Sequence, residues 1–128
     1  MAEMKCSIII SVYNEESVIE QFYKTLTEIV AKLNYEVEML FVNDGSCDNS
    51  RSLLDGFAAT DKRVKALHFS RNFGHEAAMI AGIDNANGDV MICMDADLQN
   101  PPQLLGQMLG EYAEGNDIVT MVREGRAD

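Results

Sequence analysis

Two aspartates separated by a single alanine, Asp95 and Asp97, close an apolar run and precede Leu98-Gln99-Asn100-Pro101-Pro102. In extended backbone, residues two apart point the same way, so both carboxylates can address one ligand. Hard oxygen donors of this kind suit Mg2+ or Mn2+, and magnesium commonly takes one or two carboxylates plus substrate phosphates. The plain alternative is two solvated aspartates at a strand end. Polar residues also follow the other apolar runs: Tyr13-Asn14-Glu15 the first, Asp44-Gly45-Ser46 with Asp48 the second, Arg71-Asn72 the third. Tyr13 offers a flat ring to stack on a nucleobase, or to pack over the first helix. Asp44 can accept an N–H from a base or a hydroxyl from a ribose. Asp44 and Asp48 equally suit helix N-caps. Arg71 can pair with Asp44, meet phosphate or base oxygens, or simply face solvent.

These residues need a frame, and the hydropathy pattern supplies one. A short continuous apolar run at 6–12 predicts a strand buried on both faces, and further strands are predicted at 37–42, 64–69, 89–94 and 117–122. A helix after the first run carries the stripe Ile19, Phe22, Leu26, Ile29 and Leu33, with Ser17 and Glu20 at capping-box spacing. Leu53, Leu54, Phe57 and Ala58 mark a second helix, and an alanine-rich third ends near Gly88, a candidate C′ residue. Asn100, Pro101 and Gln103 read as N-cap, N1 and N3 of a fourth. Strict strand–helix alternation predicts an α/β three-layer sandwich around a mainly parallel, Rossmann-like sheet. In such sheets ligands bind beyond the carboxyl ends of the strands, where the polar residues collect. The pattern stops after the fifth strand, which suggests one part of a longer domain.

Composition narrows the function. In 128 residues, 47% are apolar and 24% charged, the balance of a folded globular domain. A net charge of −11 repels phosphate backbones and argues against nucleic-acid binding. No apolar run approaches the ~20 residues of a membrane span. Cys6 and Cys93 lie in apolar runs and Cys47 in a polar loop, with no C-x-x-C, which fits a reducing, cytoplasmic setting. His68 reads as structural, His75 as a ligand contact or, more simply, a helix-start residue, and Glu111 and Glu114 as a solvated helix face. The first strand-to-helix turn has no G-x-G-x-x-G, and neither G-x-x-x-x-G-K-[ST] nor G-x-S-x-G occurs. A nucleotide here must be held by carboxylates, a stacking ring and a metal ion.

Taken together, Tyr13-Asn14-Glu15, Asp44-Gly45-Ser46-x-Asp48, Arg71-Asn72-x-Gly74, Gly88-Asp89 and Asp95-Ala96-Asp97-Leu98-Gln99-x-Pro101-Pro102 resemble the family 2 inverting glycosyltransferases of GT-A fold. The polyprenyl-phosphate glucosyl- and mannosyltransferases are the most similar branch. The resemblance covers nearly the whole chain in order and implies that residues 1–128 form an N-terminal nucleotide-sugar-binding part. It implies that Tyr13 and Glu15 contact the nucleotide, Asp44 bonds the base, and Arg71 helps close the pocket. Asp95 and Asp97 are then the D-x-D that reaches the sugar nucleotide and its Mg2+ or Mn2+. The implied reaction passes a sugar from a UDP- or GDP-linked donor to a polyprenyl phosphate, at the cytoplasmic face of a membrane in the full-length protein. By the same resemblance the catalytic base lies beyond residue 128, so this segment binds donor without completing the reaction.

Two rivals remain at this point. A receiver-type phosphoacceptor domain has this length and also clusters aspartates around magnesium. A non-catalytic nucleotide-binding or assembly module is the other. A sheet edge left uncovered also makes a homo-oligomer an expectation.

Overall fold

The computed structural model describes residues 5–32 and 36–96, together with the backbone of residues 118–120. Five strands make one sheet: β1 (Lys5–Val12), β2 (Glu36–Asn43), β3 (Val64–His68), β4 (Val90–Asp95) and β5 (Ile118–Thr120). Among the described residues the connecting helices are α1 (Ile19–Val30), α2 (Ser50–Thr60) and α3 (His75–Asn85). Every strand pair is parallel, in the order β3-β2-β1-β4-β5.

Handedness explains the layering. Parallel crossovers are right-handed, so the helices that carry the chain outward from β1 to β3 share one face. The chain then passes back over β1 to β4, and α3 lies on the other. Accordingly Ile8, Ile10, Met39 and Phe41 pack with Phe22, Leu26 and Leu54 of α1 and α2. Ile9, Leu40 and Val42 pack with Ala78, Met79 and Ile83 of α3. Each fully buried Ile, Leu or Phe contributes roughly 1.5–3 kcal/mol, which is why β1 is apolar without alternation. Receiver domains order their strands 2-1-3-4-5. The observed order removes that rival and puts the reversal point between β1 and β4.

Some local expectations need correction. Ser17 does not cap α1, which starts at Ile19 without a side-chain cap. The Glu15 carbonyl instead accepts the Val18 and Ile19 N–H groups, so the chain enters the helix through a turn. The buried stripe is Ile19, Phe22, Leu26 and Val30, with Ile29 at its margin; Leu33 lies outside the described residues. Gly88 is not a C′ residue, since α3 ends at Asn85 with an extended Ala86. Gly88 is small because it abuts β1: its N–H donates to Ser7 Oγ, and a Cβ there would sit 2.7 Å from Ser7 N. The fourth helix with Asn100, Pro101 and Gln103, along with Glu111 and Glu114, lies outside the described residues.

Sequence reasoning also missed a buried carboxylate. Glu38 of β2 is 4% exposed on the α3 face, where alternation in β2 brings it beside Ser7 of β1. Burial raises its pKa, but the Asn87 N–H, the Ser7 hydroxyl and Lys65 outweigh that and hold it below the ordinary carboxylate range. Lys65 Nζ stands 3.2 Å and Lys5 Nζ 3.8 Å from Oε1. The ion cluster closes the amino-terminal end of the sheet, opposite the polar rim. Burial likewise pushes the Cys6 and Cys93 thiols up to about 12 and about 11, so both behave as small hydrophobes.

Asp61, just after α2, is the other strongly held carboxylate. Arg63 grips both its oxygens at 3.0 and 2.9 Å, and the Tyr23 hydroxyl donates at 2.6 Å. The guanidinium is the main reason its pKa lies far below the usual range. A depressed carboxyl stabilises the fold fully above its unfolded pKa of about 3.9. That contribution disappears as pH falls through the folded value. Asp61→Asn is therefore expected to cost about 1–2 kcal/mol at neutral pH, allowing for the partly exposed Arg63. In urea denaturation the gap to wild type should narrow steadily below about pH 4. A gap independent of pH would contradict this account.

Candidate functional site

The carboxyl ends of β1, β2 and β4 and the start of α3 surround a cavity of about 310 Å³. Its wall includes Tyr13, Glu15, Asp44, Asn72, His75 and Asp95. Four of the six residues expected at the site are thus brought together. Arg71 is not among the lining residues, and Asp97 lies outside the described residues.

Backbone hydrogen bonds hold this rim in shape. Asn14 adopts φ 52°, which asparagine tolerates, and turns the chain after β1. From there the first loop is stitched to the second. Asn14 N–H donates to Ser46 Oγ, Glu15 N–H to Ser50 Oγ, and Glu16 N–H to Asp48. In return Cys47 N–H donates to Asn14 Oδ1 at 2.7 Å. Asp48 also accepts the Ser50 N–H, so its carboxylate is committed to the turn that opens α2. Burial raises its pKa, but the Ser50 hydroxyl and the backbone N–H donors together lower it overall. Asp48 is therefore not the N-cap expected of it: Asn49 holds that position without a side-chain cap, and Asp48, one residue earlier, forms the turn that leads into α2.

Asp44 ties the second loop to the third. Nearly buried, it accepts the Phe73 N–H at 2.8 Å and the Gly74 N–H at 3.2 Å, one on each oxygen. Gly45 sits directly against this third loop: a Cβ there would lie 2.2 Å from the Arg71 carbonyl carbon. Its φ of +73° demands glycine as well. Arg71 makes no ion pair with Asp44; its guanidinium lies 4.5 Å from the centre of the Phe73 ring. The loop reaches Asp44 through its backbone, which leaves the arginine at the surface.

Two histidines complete the picture. His68 is structural, as expected, bridging Asn43 at 3.0 Å and Asp55 at 2.7 Å. Asn43 in turn accepts the Ser46 N–H and so supports the second loop. His75 both starts α3 and lines the cavity, where its Nε2 stands 2.7 Å from Asp95 Oδ1. Twenty residues separate the partners, so no local spacing announces the pair.

Chemically, the rim combines an exposed ring, a carboxylate at the end of β4 and amide-rich loops. Tyr13 is 45% exposed and lines the cavity. Among the described residues no group of three or more His, Cys, Asp or Glu forms a ready-made metal cage. Magnesium and manganese do not need one when substrate phosphates supply the remaining oxygens. Asp95, only partly exposed and bordering the cavity, has the donor chemistry for such a shared site.

Residues 7–128 match the family described as Glycosyl transferase family 2. A relative from Bacillus subtilis, "Uncharacterized glycosyltransferase YkcC", is 46% identical over 94% of this chain and 37% of its own. The "Prophage bactoprenol glucosyl transferase homolog" of Escherichia coli is 42% identical over 97% of this chain and 40% of its own. An "Undecaprenyl-phosphate 4-deoxy-4-formamido-L-arabinose transferase" of Pseudomonas fluorescens is 43% identical over 95% and 36%. The chain thus spans about two-fifths of the length of the curated relatives it matches. Among solved structures, the mannosyltransferase PcManGT of Pyrobaculum calidifontis, in complex with GDP-Man and Mn2+, superposes with a TM-score of 0.73. That match has 20% identity and covers 90% of this chain and 34% of that one. S. aureus TarS bound to UDP-GlcNAc gives a TM-score of 0.66 at 23% identity, covering 87% and 32%.

Proposed function

Because the chain belongs to glycosyl transferase family 2, we propose that it is the donor-binding part of an enzyme that transfers a sugar from a nucleoside diphosphate to a polyprenyl phosphate. The fold is the GT-A fold expected from the motifs. The observation that carries the proposal is the position of the cavity. It opens at the β1/β4 reversal point, lined by Tyr13, Glu15, Asp44 and Asp95, where open α/β sheets bind nucleotides. The acceptor class rests on the names of the bactoprenol and undecaprenyl-phosphate relatives.

In this reading the Tyr13 ring stacks on the base, a contact worth roughly 1–3 kcal/mol. Asp44 holds the third loop with one lone pair on each oxygen and turns remaining capacity toward the base. Glu15 borders the nucleotide, and Arg71 closes over it by leaving its perch on Phe73. Asp95 and Asp97 hold the divalent ion. When bound, Mg2+ or Mn2+ neutralises charge on the departing diphosphate. The loops keep the donor's diphosphate at the end of β4 and orient the sugar outward, toward whatever supplies base and acceptor. Those belong to the larger remainder of the protein, at the cytoplasmic face of a membrane. No helix of the described residues is long and apolar enough to cross one.

Titration calorimetry with UDP and GDP, with and without Mn2+, tests the proposal. Binding of one nucleotide that strengthens at least tenfold with Mn2+ is the expected result. Equal binding with and without metal would favour a non-catalytic nucleotide module, and no binding of either would count against a donor site in this segment.

A further inference from the structure

We propose that His75 is a positioning residue that sets the Asp95 carboxylate for the divalent ion, an inference that rests on the donor-site reading above. Asp95 is the last residue of β4, in register with Ser11 of β1. The orientation of its carboxylate depends on the contacts that fix χ1 and χ2. His75 Nε2 makes one of them, 2.7 Å from Oδ1 and on the same cavity wall. An imidazole that carries a proton on Nε2 donates to that carboxylate oxygen.

The histidine is itself well placed to act as a reference point. It is the first residue of α3, directly after Gly74 at φ 105°. Asp44 fixes the Phe73 and Gly74 N–H groups, and Gly45 lies flush against Arg71 and Asn72. One continuous set of contacts therefore runs from the end of β2, through the third loop, to the carboxylate at the end of β4. Ligating carboxylates are oriented by hydrogen bonds of this sort, and losing one typically weakens metal affinity about 10–100-fold.

A merely structural role predicts something different. The His75 side chain is 46% exposed, and exposed pairs contribute little to stability. The test is Mn2+ binding to the UDP- or GDP-saturated chain, followed by the electron paramagnetic resonance signal of free Mn2+. His75→Ala should weaken Mn2+ binding about 10–100-fold and leave the melting temperature nearly unchanged. His75→Gln, whose amide nitrogen reaches the Nε2 position, should recover most of the affinity, and the shorter His75→Asn should not. Unchanged Mn2+ affinity in His75→Ala, with Asp95→Asn defective, would overturn the His75 assignment alone. A wild-type chain whose nucleotide binding ignores Mn2+ would overturn the donor-site reading and this inference with it.

Discussion

Replacing Asp95 with asparagine is expected to abolish the Mn2+-dependent part of nucleotide binding, a loss of at least about tenfold, or about 1.4 kcal/mol. The change removes one charge and keeps the shape. Asp95 closes β4 beside the cavity, in register with Ser11 of β1. An amide oxygen at that point still accepts a hydrogen bond from His75, so the frame should persist. What disappears is the anionic oxygen that a hard cation prefers. The prediction is therefore specific: metal-free nucleotide affinity unchanged, metal-bound affinity reduced to the same level. Asp97→Ala should behave alike if both carboxylates address one ion. Calorimetry with and without Mn2+ distinguishes the two components. If Asp95→Asn kept a full metal response, Asp95 would not be a ligand.

A second large effect is expected at Gly45, where the lack of a Cβ lets two loops meet. Gly45→Ala must fit a Cβ 2.2 Å from one Arg71 backbone atom and 2.4 Å from Asn72 N, with φ at +73°. Neither neighbour is a flexible side-chain tip, so the third loop has to shift. Positive φ and overpacking together should cost about 2–4 kcal/mol. Displacing residues 71–74 also moves Asn72 and His75 off the cavity wall, so nucleotide binding should fall with stability. Gly56→Ala is the matched control. Gly56 lies within α2 with nothing within 4 Å of the added Cβ, and alanine there should stabilise by about 0.5–1 kcal/mol. Opposite signs in thermal melts would support the loop-docking account; a harmless Gly45→Ala would refute it.

The central strands were legible because burial on both faces favours runs of apolar residues, as in Ile8-Ile9-Ile10. The carboxyl-end loops were legible for the same reason, since polar residues there interrupt a hydrophobic pattern. Strand order was not, because alternation of strands and helices is common to the 3-2-1-4-5 and 2-1-3-4-5 arrangements. Ser17 misled because capping-box spacing is a local signal, overruled here by the turn that Glu15 builds before α1. Gly88 misled because its smallness answers a close approach to Ser7, a contact 81 residues away. Glu38 was invisible as a buried residue, since its partners Ser7, Lys65 and Asn87 meet it only across the sheet. Asp44 was singled out correctly as a rim residue, yet its grip on the Phe73 and Gly74 backbone has no sequence signature. The His75–Asp95 pair belongs to the same class, because it forms only once β4 and α3 meet beside the cavity.

The central claim is that a nucleoside diphosphate and its metal ion occupy the rim at the ends of β1, β2 and β4. Paramagnetic broadening by Mn2+ in the amide NMR spectrum, with UDP or GDP bound, addresses this most directly. The account predicts that the signals of Tyr13, Asn14, Gly74, His75 and Asp95 vanish. Those of Lys5, Glu38, Lys65 and Asn87, at the opposite end of the sheet, should survive. Broadening centred on the Glu38 end, or none at all under saturating nucleotide, would contradict it.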